Sequence, residues 1–470
     1  MKDGVVIFGA SGGAVKVIKT LKNLGIIIQF LVDNDTNKHG KMVEGLAVKS
    51  PDVLLDSGAA YKIIIASMYH GEIKEQLLQM GIGIENIRLK EEYILEYIDI
   101  HRNDFFYPKV TMSGTDIHDN IIIDLSEGII LGGIEKWGIT LAEGLREQKR
   151  KVKIFTVKDE RNMDIKGEIS YFDLSYERYI DSVKELVGAV IAQLPCTIVI
   201  NRINQIFMAA YIVKRYFSDE IKIISVLHSD FSRMYEQNLL VQDSLDVILC
   251  VSKDVACNAI HLYNLESKKV HFKDSPIIYE EKFEKKYSKE TEPIVIGYAA
   301  RLEKSQKRAD LLIPLIEKLE EYRLNYILFV AGGGSFFNSI YEYIRKHLLE
   351  HKVILCGIIP FNEMSCFWKQ CDICINLSDI EGIGLSMLEA MALGVVPVVT
   401  DTAGASDFIT NGENGYINNL RDVEGIAKDI YGLSIERNKL HKFGDKSREI
   451  IKRKCNLREY IEYIGKLLKS

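Results

Sequence analysis

Several things are scarce or missing in this chain, and each absence narrows what it can do. There is no surplus of positive charge: 60 Lys and Arg stand against 66 Asp and Glu, a formal charge of -6. That excludes the basic field a nucleic-acid binder needs. No apolar run is long enough to span a bilayer; the longest, such as Ile121–Leu125 and Val395–Val399, are strand-length. The N-terminus lacks a secretory pattern, because Met1-Lys2-Asp3-Gly4 leads straight into Val5–Phe8 with no cleavage-site signal. A cytoplasmic location is expected, where thiols stay reduced. Cys196, Cys250, Cys257, Cys356 and Cys374 sit in or beside apolar stretches, where cysteine packs as a small hydrophobe. Cys371-Asp-Ile-Cys374, with Cys366 upstream, imitates a metal motif but has no second Cys or His pair at zinc spacing. Neither a metal nor a cofactor is expected. Internal repeats and low-complexity tracts are also missing.

What is present is a globular composition, 47% apolar and 27% charged, over 470 residues, too long for one ordinary core. Strands and helices alternate nearly throughout, which predicts α/β architecture with parallel sheets covered on both faces. Three blocks separate. Residues 1–108 hold strands at Val5–Phe8, Ile26–Val32 and Lys62–Ala66, a helix from Ala14 to Leu24, and a linker at His101–Pro108. Residues 109–290 hold strands at Ile121–Leu125, Val152–Thr156, Thr197–Asn201, Ile221–Leu227 and Asp246–Val251, with helices such as Gly133–Glu147 and Ile203–Phe217. The charged stretch Tyr279–Glu292 reads as a solvated connection. Residues 291–470 hold strands at Ile294–Ala299, Tyr326–Ala331, Val353–Cys356, Asp372–Asn376 and Val395–Thr400, and end in one amphipathic helical stretch, Lys446–Lys469.

The densest chemical signal is the run from Ser378 to Gly394. A strand ends, a glycine-rich loop follows, and a helix begins near Leu385, with Leu385, Leu388, Met391 and Ala392 on an inward stripe. The helix start therefore lies at the carboxyl edge of a parallel sheet, where such sheets bind ligands. Free N–H groups near Gly384, Leu385 and Ser386 suit an anion such as a diphosphate. Gly382 and Gly384 let backbone approach the ligand closely. Glu381 and Glu389 flank that anion site and can accept hydrogen bonds from sugar hydroxyls. Arg301 and Lys307, after strand Ile294–Ala299, can face the diphosphate and neutralise charge on a leaving group. The plainer alternative is that Arg301, Lys304, Lys307 and Arg308 form a solvated charged loop.

These residues resemble a known family. Glu381 and Glu389 with seven residues between, then Ala390-Met391-Ala392-Leu393-Gly394-Val395-Val396-Pro397, are similar to the signature of glycosyltransferase family 4. Gly297 to Leu302, Lys307, Gly332-Gly333-Gly334, Gly357 and Asn414-Gly415-Tyr416 follow the family order, over about residues 119–470. The resemblance implies a GT-B fold of two facing Rossmann-like domains, here preceded by a third, small Rossmann-like domain. The last helix of such a fold can cross back to the middle domain. It also implies retention of anomeric configuration. Carried over by position, Glu381 holds the transferred sugar and Glu389 the ribose. Arg301, Lys307 and the amides after Gly384 bind diphosphate, and Gly357-Ile358-Ile359 lie beside the base. Gly132-Gly133-Ile134-Glu135-Lys136 resembles the family's glycine loop that approaches donor and acceptor; alternatively it is a plain helix start. His228 falls where the family places a histidine near the reacting sugar, against the alternative of a structural histidine. The sequence departs from the family in its Arg301-to-Lys307 spacing, one residue longer than usual, and in Ser275-Pro276-Ile277-Ile278, which replaces the usual Asn-Gly.

The first block resembles Rossmann-like domains attached to polysaccharide-biosynthesis proteins. Gly9, Gly12 and Gly13 at a strand–helix turn, with Asp33 ending the next strand, make it a nucleotide-binding candidate, but the spacing is not Gly-x-Gly-x-x-Gly. A docking or regulatory role is expected. The overall expectation is a metal-independent hexosyltransferase that takes a nucleotide sugar, UDP-linked by preference, to a glycan, lipid-linked or protein-linked acceptor. Two rivals stay open: a non-catalytic GT-B partner subunit, and an NAD-dependent sugar-nucleotide enzyme run from the first block. Expected partners are the nucleotide-sugar donor and a saccharide or glycoconjugate acceptor, without nucleic acid; a homo-oligomer or a complex with other biosynthesis proteins is open. So is peripheral contact with the inner face of the plasma membrane through Arg146 to Lys153, for which a solvated face is the alternative.

Overall fold

The computed structural model describes residues 4–55, 61–67, 69–105, 119–129, 132–158, 165–280 and 282–469. The expected 108/109 boundary lies outside them, as does the end of the expected linker. Three parallel-dominated sheets form, one per block. In the first, Val5–Phe8 runs between Ile28–Val32 and Lys62–Ile65. In the second, Asn120–Leu125 runs between Lys151–Val157 and Cys196–Ile200, followed outward by Ile221–Leu227 and Val247–Cys250. In the third, Ile294–Ala299 runs between Tyr326–Ala331 and Ile373–Asn376, followed by Val396–Thr400 and Tyr416–Asn418. The central strands are continuous apolar runs such as Ile121-Ile122-Ile123, all buried, because helices cover both faces of each sheet.

The cores are not one per block. Val5, Ile18, Ile94 and Ile98 of the first block share a cluster with Val183, Val187, Ile206 and Phe207 of the second. Within the expected linker, Arg102–Phe105 is a 3-10 turn, exposed except for Phe105, which is buried in that contact. Ion pairs border the contact, Lys19 with Glu177 at 2.6 Å and Lys74 with Glu236 at 2.7 Å, and His70 Nε2 lies 2.8 Å from the same glutamate.

Three expectations about the rest of the fold change. The stretch Lys446–Lys469 is two helices, Asn438–Lys454 and Leu457–Lys469. Asn456 interrupts it: its side-chain oxygen accepts from the Glu459 N–H at 3.1 Å, a cap three residues ahead of a glutamate. The final helix crosses to the middle domain, where Tyr460 OH accepts from Trp137 Nε1 at 2.9 Å and the Leu467 carbonyl from Lys222 Nζ at 2.7 Å. Second, Tyr279–Glu292 is solvated only in part, with Glu280, Lys282, Glu284, Lys286 and 289–292 exposed. Lys285 is buried with its ammonium on the Lys369 carbonyl (2.8 Å), Tyr287 OH donates to the Gly394 carbonyl (2.6 Å), and Ser288 Oγ donates to Asp372 (2.5 Å). A lysine stem is apolar enough to bury once its head finds an acceptor. Third, the basic run is largely engaged: Arg146 donates to the Lys166 and Val152 carbonyls at 2.6 and 2.9 Å, and Arg150 pairs with Asp119 at 2.6 Å. Cys371 and Cys374 are buried as core residues, whereas Cys257 is exposed and not packed. Among the described residues no helix is long and apolar enough to cross a membrane.

Candidate active site

Two helix starts meet between the second and third sheets. Helix Leu385–Ala392 begins at Gly384, whose φ of 69° suits glycine, and no side chain caps it. Helix Gly133–Glu147 begins at the extended Gly132, again without a side-chain cap. A Cβ on Gly133 would lie 3.3 Å from Leu385 Cδ1, so the two positive helix ends face each other across a narrow cleft. Leu385 is half-buried at the cleft and packs against the edge of the core that Leu388, Met391 and Ala392 enter. Ser386 stands beside it, also half-buried. Glu135, three residues into the first helix, folds back toward Gly132, and burial pushes its carboxyl up from the ordinary range.

The acids and cations pair with one another. Lys307 Nζ donates to Glu381 Oε1 at 2.6 Å, and Ser378 Oγ donates to the same oxygen at 2.7 Å. Burial alone would raise the Glu381 carboxyl, but the Lys307 charge and these hydrogen bonds outweigh it and hold the group below its usual value. Lys307 was expected on a diphosphate; here it neutralises the acid beside it, because a buried carboxylate needs a partner. Arg301 stays outward, its side chain 59% exposed, held by Gln306 Oε1 at 2.9 Å. Its charge reaches Glu135 across the cleft. Glu389 pairs with Lys136 of the opposite helix. Beside that pair, between Trp137, Ile277 and Leu385, the cavity is about 20 Å³, room for a water and not for a ribose.

His228 ends strand Ile221–Leu227 and is half-buried, edge-on to Trp137 at 4.9 Å. Burial, with the Arg202 charge nearby, lowers its pKa to about 3, so it is neutral at ordinary pH. Its Nε2 lies 2.7 Å from Asn201 Oδ1, and the Asn201 amide nitrogen donates to the Asp124 carbonyl at 2.6 Å. The amide oxygen is therefore the acceptor, which assigns the proton to Nε2 and leaves Nδ1 with a lone pair. Asp124, fully buried with a pKa raised to about 6 by that burial, accepts from the Ser126 and Asn201 N–H groups and from Asn204 Nδ2.

The two domains touch through backbone. Asp230 N donates to the Glu381 carbonyl at 3.1 Å, Gly404 N to Asp254 at 2.9 Å, and Lys253 N to Asp407 at 3.0 Å. Gly382 was expected to admit ligand; instead a Cβ there would sit 2.1 Å from the His228 carbonyl oxygen, so glycine is required by the facing domain. In the third domain, Gly357 (φ 67°) accepts from the Gly332 N–H at 2.7 Å, and Ile358 is left 67% exposed.

The turn of the first domain differs. Gly9 (φ 113°) and Gly13 would each place a Cβ near the Ala66 carbonyl, at 3.0 and 3.1 Å, while Gly12 is open. The Asp33 carboxylate accepts from the Ala10 and Asp35 N–H groups at 2.8 and 2.9 Å and from Lys38 Nζ at 3.0 Å. Those bonds overcome its burial and hold it below the ordinary range.

Residues 279–450 match the family model described as glycosyl transferases group 1, and residues 1–88 match C2185-like, N-terminal. The structure is similar to sucrose-phosphate synthase from Thermosynechococcus elongatus, with a TM-score of 0.63 at 16% identity over 75% of this chain and 98% of that one. The fold is GT-B. A second GT-B neighbour is Anabaena Alr3699/HepE in complex with UDP and glucose, TM-score 0.61, 15% identity, covering 75% of this chain and 99% of that one. Among curated proteins, N-acetyl-alpha-D-glucosaminyl L-malate synthase of Bacillus anthracis is 25% identical over 264 residues, 52% of this chain and 66% of that protein. The chain spans between about a third and just under two thirds of the first curated relatives' length. Together the matches and the GT-B fold support the glycosyltransferase superfamily.

Of the expected site residues, Glu381, Lys307, Arg301, Glu389, Gly384, Leu385, Ser386, Gly132, Gly133 and His228 gather around this GT-B cleft, whereas no contact ties Gly357 to it among the described residues. Lys136, Asn201 and Asp124 were not given roles in advance. Lys136 stands one residue after Glu135 in the glycine loop, which was a usable signal. Asn201 and Asp124 lie at the ends of apolar strands, where a polar residue interrupting such a run is a signal too.

Proposed function

We propose that this protein is a retaining glycosyltransferase that moves a hexose-type sugar from a nucleotide-diphosphate sugar, UDP-linked by preference, onto a glycan or glycoconjugate acceptor of cell-surface polysaccharide synthesis. The observation that carries the reading is the meeting of two uncapped helix starts with Glu381 and Glu389 on one side and Arg301 at the rim. A diphosphate held there is stabilised by both helix ends and by Arg301, without need of a metal. Donor entry separates Glu389 from Lys136, freeing the acid for ribose hydroxyls and the ammonium for phosphate. Glu381 holds hydroxyls of the transferred sugar. The bond from the anomeric carbon to the phosphate oxygen breaks as the acceptor oxygen bonds to the same carbon on the same face. The acceptor's proton passes to the departing phosphate oxygen. The neutral His228 accepts a hydrogen bond from the sugar at Nδ1. The UDP and glucose bound by the Anabaena neighbour suit the same donor chemistry.

A hydrolysis screen over UDP-, GDP- and dTDP-sugars, with and without EDTA, tests this. One donor should be consumed, EDTA should not matter, and Arg301→Ala should lower turnover by about a hundredfold. Proton NMR of the product should show the donor's anomeric configuration. No donor consumption, or full activity in Arg301→Ala and Glu381→Ala, refutes the site.

A further inference from the structure

Seven non-glycine residues among the described residues have a left-handed backbone. Four of them end helices: Lys149, Asn264, Arg323 and Leu348 come just after Gly133–Glu147, Lys253–His261, Leu312–Glu321 and Phe337–Lys346. A fifth, Glu44, turns the hairpin between Met42–Val43 and Leu46–Lys49. The other two have no such reason. Arg308 (φ 48°) and Arg421 (φ 66°) stand ahead of the helical segments Ala309–Leu311 and Val423–Ile435, not behind them. Both reach the same carboxylate. Arg308 Nη1 donates to Asp379 Oδ2 at 3.0 Å, while its Nε and Nη2 hold Asp310 at 3.0 and 2.8 Å. Arg421 donates to Asp379 from Nη2 at 2.8 Å and from Nε at 3.2 and 3.3 Å. Burial would raise the Asp379 carboxyl, but the two guanidiniums outweigh it and hold it below the ordinary range.

Stability does not account for an arginine at 421. Its side chain is 62% exposed, where an ion pair adds little, and glycine would fit the left-handed backbone better. Backbone strain of this kind points to function. Asp379 stands two residues before Glu381, and Arg308 one residue after Lys307. The carboxylate therefore joins the connections that follow strands Ile294–Ala299, Ile373–Asn376 and Tyr416–Asn418, where the first two present Lys307 and Glu381. Gln306 adds to the same tie: its carbonyl accepts from the Asp379 N–H at 3.0 Å, and its Nε2 donates to the Ile380 carbonyl at 3.1 Å. Resting on the transferase reading above, in which Glu381 holds hydroxyls of the transferred sugar, we infer that Arg308 and Arg421 are positioning residues that fix the Glu381 loop against the donor through Asp379. Glu389, at the ribose end, makes no bond to this clamp, so nucleotide binding survives its loss.

Arg421→Gly in the full chain tests this, because glycine suits the backbone there and only the guanidinium is lost. Donor turnover should fall about tenfold, short of the roughly hundredfold that a misplacement of about 1 Å costs. UDP affinity, by calorimetry, and the denaturation midpoint should hold. Amide hydrogen exchange over 303–309 and 376–384 should quicken several-fold. Arg421→Lys, which keeps one donor of the pair, should recover part of the turnover. Arg323→Gly, the same replacement at a left-handed arginine that ends a helix, should change neither turnover nor that exchange. Full turnover in Arg421→Gly, a matching fall in its UDP affinity, or an equal loss of turnover in Arg323→Gly overturns the inference. A wild-type chain that consumes no donor, with exchange over 376–384 still quickened by Arg421→Gly, counts against the transferase reading and leaves the clamp standing, so the two failures are distinguishable.

Discussion

Two strand–glycine–helix turns in this chain share a sequence grammar and do different work. The turn at Gly9 to Gly13 and the turn at Gly382 to Gly384 both follow a buried strand and both lead into an uncapped helix. In the first, the nearby acid Asp33 is consumed by Ala10, Asp35 and Lys38, and the glycines accommodate the Ala66 carbonyl of the next strand. In the second, Glu381 is held by Lys307 and Ser378 and Glu389 by Lys136 of another domain, and the helix start faces a second helix start. A glycine turn becomes a site when a separate domain stands opposite and its polar partners can be exchanged.

Breaking the second turn should cost most. Removing Lys307 leaves the Glu381 carboxylate buried and unpaired, a loss on the order of 3–5 kcal/mol. The sign with pH follows from the Glu381 pKa, which is held below its ordinary value of 4.5. That contribution is fully present above the unfolded value and disappears as pH falls through the folded one. Lys307→Ala should therefore unfold at markedly lower denaturant than wild type at pH 7, and the gap should narrow toward pH 4. Denaturant titrations at both pH values check it; equal midpoints at pH 7 would falsify the pairing.

The next effect falls on geometry and leaves the cores alone. Gly382→Ala drives a methyl into the His228 carbonyl and should wedge the domains apart. A displacement of about 1 Å at reacting groups costs on the order of a hundredfold in turnover. Donor turnover should drop accordingly with the melting temperature little changed, and small-angle scattering should report a more open particle. Retained turnover would mean that the two domains meet differently during reaction. By contrast, Asp33→Ala at the first turn should cost about 1–2 kcal/mol of stability through two lost backbone hydrogen bonds, with donor turnover unchanged once folded.

The same contrast explains how much could be read in advance. Strands such as Val5–Phe8, Ile221–Leu227 and Ile294–Ala299 were legible to the residue, because buried parallel strands are short apolar runs bounded by turns. So was the cluster around Glu381, whose local order already contains strand end, loop and helix start. What escaped were partners from elsewhere in the chain. Lys136 on Glu389, 253 residues apart, and Gly382 on His228 depend on how domains dock. Lys285 looked solvated because its charge dominates a sequence reading and its apolar stem does not. The cap at Asn456 was readable and passed over: a polar cap with glutamate three residues on splits a helix even inside an amphipathic run.

The smallest expected effect concerns protons. An exposed histidine changes charge near pH 6.5, but His228 is depressed to about 3 by burial and by Arg202. It stays neutral wherever the protein is folded and assayed, so the hydrogen bond proposed at Nδ1 does not switch. The pH profile of donor turnover between about pH 5 and 9 should then show no limb that disappears on His228→Gln. The substitution should lower turnover by a few-fold and leave the profile's shape intact. Stability behaves differently: the unfolded histidine takes up a proton below pH 6.5 and the folded one does not, so His228 weakens the fold as pH falls from 6.5 toward 3. Asp124, raised to about 6, works in the opposite direction over pH 3.8 to 6, favouring the fold as it protonates. The two are joined through Asn201, so His228→Gln should steepen the gain in stability on mild acidification, read as a rising denaturation midpoint between pH 6.5 and 5. A wild-type turnover limb near 6.5 that vanishes in the variant would instead make His228 a titrating group, and its ring would then have to be solvated in the working state.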